Sequence, residues 1–261
     1  MEVSLKGKTA LVGGSSKGIG LAVAKQLAAS GASVCLMARD DSKMKEIIKN
    51  LRSNHGQVHH FLQVDFSDFN SFKVKLDIFF KENKIDILVN NTQGPPSGNS
   101  LSKSIQDYQT SFDLLFKNIV YTTTLAIPHM KSQGWGRIVN IASISVREPL
   151  NYLVLSNTIR AAVVTWGKSL SFDVAQYGIT VNSILTGYFD TERIAQLNSA
   201  KAKSMNISES QVLSAMKEMI PLNRLGKPEE YGYLVSFLAS KKAAYINGTA
   251  IPIDGGLLNS Y

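Results

Sequence analysis

The sequence predicts an α/β fold: an open, doubly wound parallel sheet in a single domain. Three observations carry this. An apolar strand pattern at residues 8–12 runs into a loop with four glycines in eight residues, Gly13-Gly14-Ser15-Ser16-Lys17-Gly18-Ile19-Gly20, and then into a segment of helical periodicity. Strand-like and helix-like segments then alternate strictly, as they do in parallel sheets with right-handed crossovers. A breaker-rich stretch comes after the fourth predicted strand, at the carboxyl end where such sheets bind ligands.

Taken in order, the helix after the glycine loop places Ile19, Val23, Leu27 and Ala28 on one face and is stopped by Gly31. Residues 33–37 form a second buried strand. Asp41 or Ser42 is expected to cap a helix to about residue 53. Residues 59–64 are a third strand ending at Asp65, and Ser67 or Asp68 caps a helix to about residue 82. Residues 85–89 are a fourth strand, ending at Asn90-Asn91. Residues 92–99 hold too many breakers for regular structure. One long helix is expected at 108–132, a fifth strand at 137–142, a loop at 143–150, a second long helix at 153–177 and a sixth strand at 179–185. The next stretch leaves a strand end and reads as a helical lid over the site, at about residues 187–220. Pro228 opens a helix to about residue 239, and residues 250–253 are a last short strand.

Composition narrows the function. The chain has 261 residues, 44% hydrophobic and 18% charged, which suits one sizeable domain over residues 1–261. No apolar run approaches the ~20 residues that span a bilayer, and the start lacks a signal-peptide core, so a cytoplasmic protein with no membrane partner is expected. The single cysteine, Cys35, excludes an internal disulfide and reads as a buried, inert thiol. The net charge of +8 comes with scattered lysines, such as Lys43, Lys45, Lys73 and Lys75, and with no basic run interleaved with aromatics. That describes a solvated surface and no nucleic-acid partner. The four histidines have no metal-ligand spacing, so no metal is expected.

The glycine loop has specific chemistry. A dinucleotide diphosphate must approach backbone N–H groups at a helix N-terminus. Side chains at Gly14, Gly18 or Gly20 would block the turn, the phosphate or the packing of helix on sheet. The spacing is G-x-x-x-G-x-G.

With that loop, Asn90-Asn91, Gly136-Arg137-Ile138-Val139-Asn140-Ile141-Ala142-Ser143, Thr180-Val181-Asn182-Ser183-Ile184 and Asp254-Gly255-Gly256, the chain resembles the short-chain dehydrogenase/reductase family over nearly its whole length. It looks most like the 3-oxoacyl-carrier-protein reductase-like members. The resemblance implies a Rossmann-type sheet of seven parallel strands and a nicotinamide cofactor across their carboxyl ends. It also implies a homotetramer or homodimer. Ser16, Lys17, Ile19 and Phe66 join the three glycines as cofactor-binding candidates. Asp65 resembles an adenine contact, Asn91 would line the ribose, and Gly187 and Thr191 resemble a pyrophosphate contact. Where NAD users carry an acid at the end of the second strand, this chain has Ala38, followed by Arg39. A guanidinium there matches a 2′-phosphate, so NADP(H) is expected and NAD(H) disfavoured.

The family's proton chemistry uses a tyrosine, a lysine four residues later, a serine thirteen residues before the tyrosine, and an asparagine in the preceding long helix. Ser143 matches the serine. The tyrosine position holds Ser156, the lysine position Arg160 and the asparagine position Leu115. A serine hydroxyl is a far weaker acid than a phenol, and arginine keeps its proton at working pH. Arg160 can still hold a ribose or polarise an oxygen, and Tyr152 and Tyr188 are the candidate replacement acids. The expected function is an NADP(H)-dependent oxidoreductase of carbonyl reductase or alcohol dehydrogenase type. Its substrate is a small carbonyl or alcohol, with an acyl thioester among the candidates. The alternative is a catalytically silent NADP(H)-binding protein, a sensor or assembly partner.

Overall fold

The computed structural model describes residues 2–260. Its elements are β1 (Thr9–Gly13), α1 (Gly18–Ala29), β2 (Ser33–Ala38), α2 (Asp41–Lys49), β3 (His60–Gln63), α3 (Phe69–Glu82), β4 (Ile87–Asn90), α4 (Ile105–Phe112), α5 (Asn118–Ser132), β5 (Gly136–Ile141), α6 (Val154–Ala175), β6 (Ile179–Thr186), α7 (Glu192–Met205), α8 (Glu209–Glu218), α9 (Pro228–Leu238) and β7 (Ala250–Ile253). The seven strands make one sheet in the order β3-β2-β1-β4-β5-β6-β7, with every pair parallel.

Side chains that alternate along a strand feed opposite faces. Val12, Val89 and Val139 pack with α1 and α9, whereas Leu11, Leu88 and Ile138 pack on the side of α3, α5 and α6. The central strands are buried on both faces, which is why β4 and β5 read as nearly unbroken apolar runs. The chain order reverses at β1, which has β2 on one side and β4 on the other. A crevice opens at such a switch point, between the loops after β1 and β4.

Four sequence expectations need correction. Asp40, not Asp41 or Ser42, caps α2, accepting from the Lys43 amide at 2.9 Å. That helix stops at Lys49 because the Asn50 side chain takes the Glu46 carbonyl at 3.1 Å. The strands β3 and β4 begin one and two residues later than expected, at His60 and Ile87. The expected long helix at 108–132 starts at Ile105 and is interrupted by a π-helical turn, Asp113–Lys117. Asn118 causes the interruption. Its side-chain amide donates to the Leu114 carbonyl at 3.2 Å, so its backbone N–H reaches one residue further back, to Asp113. Leu115, at the expected asparagine position, lies inside that turn in the apolar core.

Candidate active site

The crevice begins at the glycine loop. Gly14 and Gly18 have φ of +56° and +55°, a region that favours glycine. A Cβ on Gly20 would stand 2.3 Å from the Gly14 carbonyl oxygen, so no side chain fits between loop and helix. Asn91 donates to the Gly13 carbonyl at 3.0 Å and ties the end of β4 to the loop. Ser15 accepts from the Met37 amide at 2.9 Å and ties the loop to β2. Lys17 is the N-cap residue of α1 but makes no side-chain cap bond, so the first N–H groups of the helix, with Ser16 and Ile19 around them, remain for a ligand. The Lys17 ammonium instead pairs with Glu192 of α7 at 2.7 Å. Thr191 caps α7, and its methyl sits 3.5 Å from where a Gly18 Cβ would be, which closes the cradle from the α7 side. Gly187 serves packing: a Cβ there would lie 2.6 Å from the Asp254 Cα.

On the other side of the glycine loop, β2 finishes on the buried Ala38, and Arg39 is exposed with no ion pair among the described residues. The two following acids are turned to local work, Asp40 as a cap and Asp41 in a 2.7 Å pair with Lys45. Asp65 accepts from both the amide and the hydroxyl of Ser67, at 2.9 and 2.6 Å. The Ser67 hydroxyl foremost, and the Arg39 charge in smaller part, hold its carboxyl below the usual range. Phe66 is buried against Phe72.

At the other end, Ser156 and Arg160 stand one turn apart on α6, as residues spaced by four must. Arg160 Nε donates to Ser156 Oγ at 3.2 Å, and Nη1 donates to the carbonyl of Ile141, two residues before Ser143. Burial above all, with the charge of Arg193 adding to it, lowers the Arg160 pKa to about 10, so the side chain remains cationic at neutral pH. Ser143 Oγ accepts from the Ser145 amide and hydroxyl at 3.2 and 2.9 Å, which leaves its own hydrogen free to donate. Ser143, Ser156 and Arg160 are therefore gathered at the end of β5. Tyr188, two residues past the end of β6, meets Tyr152, and burial and the Tyr152 neighbour push its phenol up. Among the described residues neither phenol is hydrogen-bonded to Ser143, Ser156 or Arg160.

Known proteins share both the sequence and the fold of this chain. The family profile described as enoyl-(acyl carrier protein) reductase matches residues 14–258. A 3-oxoacyl-[acyl-carrier-protein] reductase FabG of Aquifex aeolicus is 31% identical over 258 residues, covering 98% of this chain and 100% of its own length. The chain belongs to the short-chain dehydrogenase/reductase family. Another member, the oxidoreductase UcpA of Salmonella typhimurium, is 36% identical over 97% of this chain and 95% of its own length. The L-sorbose reductase of Gluconobacter frateurii, solved with NADPH and L-sorbose, superposes with a TM-score of 0.92 at 28% identity over 100% of both chains.

Within the family frame, some site residues escaped sequence reasoning. Arg193, the second residue of α7, donates to the Pro95 carbonyl at 3.0 Å and so crosses from α7 to the loop after β4. Its signal was a cation in a helix's first turn, where the dipole disfavours one. Tyr231 of α9 is fully buried and shares a 2.9 Å hydrogen bond with Thr186, the last residue of β6. No local pattern announces that pair.

Proposed function

We propose that the protein is an NADP(H)-dependent oxidoreductase of carbonyl reductase or alcohol dehydrogenase type, with Arg160 and Ser143 doing the work of the usual tyrosine and lysine. The observation that carries this reading is the anchoring of Arg160. Two of its five N–H donors are held by Ser156 and Ile141 beside Ser143, and three remain to face a reacting oxygen. The glycine cradle, the uncapped start of α1 and the unpaired Arg39 fit a dinucleotide with a 2′-phosphate. When bound, that cofactor supplies a hydride to the carbonyl carbon. Ser143 donates its free hydrogen to the carbonyl oxygen, and Arg160 stabilises the negative charge that develops there. The Ser143–Ser145 hydroxyl pair passes on the proton and is recharged by water.

Purified protein mixed with NADPH and a panel of carbonyls, 3-oxoacyl thioesters included, is expected to oxidise the cofactor. Arg160→Ala should lower kcat by about 100-fold, the scale of losing one preorganised oxyanion donor, while NADPH binding followed by fluorescence persists. A second reading, an NADP(H)-binding protein that does not turn over, draws on Leu115 and on the missing link between the two tyrosines and Arg160. Silence across the panel with NADPH bound would favour it.

A further inference from the structure

We propose that Arg193 and Arg160 together bind a carboxylate beside the reacting carbonyl, so that the substrate is a 2-oxo acid or the matching 2-hydroxy acid. This rests on the oxidoreductase reading above and names its substrate class.

Two guanidinium groups stand at the carboxyl ends of the neighbouring strands β4 and β5. Arg160 stands at the end of β5 next to Ser143, and Arg193 reaches in from the lid to Pro95. The Arg193 charge adds to burial in lowering the Arg160 pKa. Neither has a carboxylate partner among the described residues. The nearest acid in sequence, Glu192, is taken by Lys17. Arg193 also sits in the first turn of α7, where the helix dipole adds a third positive contribution. Like charges gathered without a counter-charge are costly, and an incoming anion relieves that cost.

Direction separates the substrate from the cofactor's diphosphate as the source of this anion. Successive helical residues point about 100° apart. Glu192 faces Lys17 in the glycine cradle, whereas Arg193 faces the loop after β4. The second cation, Arg160, belongs to the Ser143 end. The anion site therefore lies on the substrate side. The planar forks of two arginines match a carboxylate, with Arg193 on the carboxylate and Arg160 between it and the carbonyl oxygen.

The test uses the full chain saturated with NADPH and reads binding without turnover. Oxamate, an unreactive analogue of a 2-oxo acid, and its neutral ethyl ester are titrated by calorimetry. Oxamate should bind at least about tenfold more tightly than the ester, the scale of a charge-assisted hydrogen bond. Arg193→Gln should erase that preference and Arg193→Lys should restore part of it, with thermal melts confirming the fold of each variant. Equal binding of acid and ester overturns the proposal. A loss of about tenfold in NADPH affinity in Arg193→Gln, with the oxamate preference intact, assigns the arginine to the cofactor's diphosphate and also overturns it. If no carbonyl is reduced but the preference exists and falls in Arg193→Gln, the anion site stands and the redox reading fails. If carbonyls are reduced without an acid preference, the anion site fails alone.

Discussion

At the scale of single residues, the proposed preference for NADP(H) turns on the four positions at the end of β2 and just beyond it. Ala38 offers the adenosine ribose no acid, and Asp40 and Asp41 are occupied by α2 and Lys45. Arg39 is the exposed cation left at that corner. Arg39→Ala should weaken NADPH by about 10- to 100-fold, the scale of a charge-assisted contact, and change NADH little. Fluorescence titration with both cofactors measures this, and equal losses would move the 2′-phosphate elsewhere. Ser143, Ser156 and Arg160 are reached in the sequence through the spacing of the family it resembles, and Arg160 meets Ser156 and the Ile141 carbonyl because a spacing of four is one helical turn and β5 ends beside α6. The partners of Lys17 and Arg193 are not legible, because those contacts span 175 and 98 positions. Periodicity and caps are local signals and carry no information about such pairs.

At the scale of elements, the strands and most helices are legible because their apolar periods are strong, while ends and interruptions turn on single side chains. The π-turn before α5 is the clearest case: the apolar pattern runs through it, and only the competition of the Asn118 amide for the Leu114 carbonyl breaks the ladder. The start of α9 is legible from Pro228, but its strength comes from Glu230. That carboxylate accepts from the Lys227 amide at 2.7 Å and from both Nη atoms of Arg224, at 2.8 and 2.7 Å. The Arg224 hydrogen bonds first, and the Lys227 amide next, lower its pKa to about 2. A carboxyl with a depressed folded pKa stabilises the protein above its unfolded value, near 4.5, and that contribution fades as pH falls towards about 2. Glu230→Gln should therefore lower Tm at pH 7, with the deficit against the parent shrinking between about pH 4.5 and pH 2. Thermal melts across that range check it, and a deficit that does not change with pH would show that Glu230 acts through packing alone. Because α9 packs on α1, the helix that leaves the glycine loop, the effect belongs to the scaffold of the cofactor cradle.

At the scale of the whole molecule, the rigid part is the sheet with its two packed faces, and the part free to respond is the segment after β6. The helices α7 and α8 pack chiefly on each other and bury few residues, Asn198 and Ala202 in one and Val212 and Met216 in the other. Their ties to the body include an exposed ion pair, Lys17 with Glu192, and the single bond from Arg193 to Pro95. Both ties cross the crevice where the sheet order reverses, one at the glycine loop and one at the loop after β4. A segment with little buried apolar area opens more readily than a core helix. Amides at 187–220 should thus exchange hydrogen faster than those of α6 in the free protein. A ligand bound across both loops protects by mass action, so NADPH at a hundredfold excess over its Kd should slow that exchange by as much as about 100-fold. Hydrogen-exchange mass spectrometry reads the two segments separately. Unchanged exchange at 187–220, with NADPH bound and the glycine loop protected, would mean that this segment takes no part in closing the site. Slowing that needs both NADPH and oxamate would instead place the closing step at Arg193, on the substrate side of the crevice.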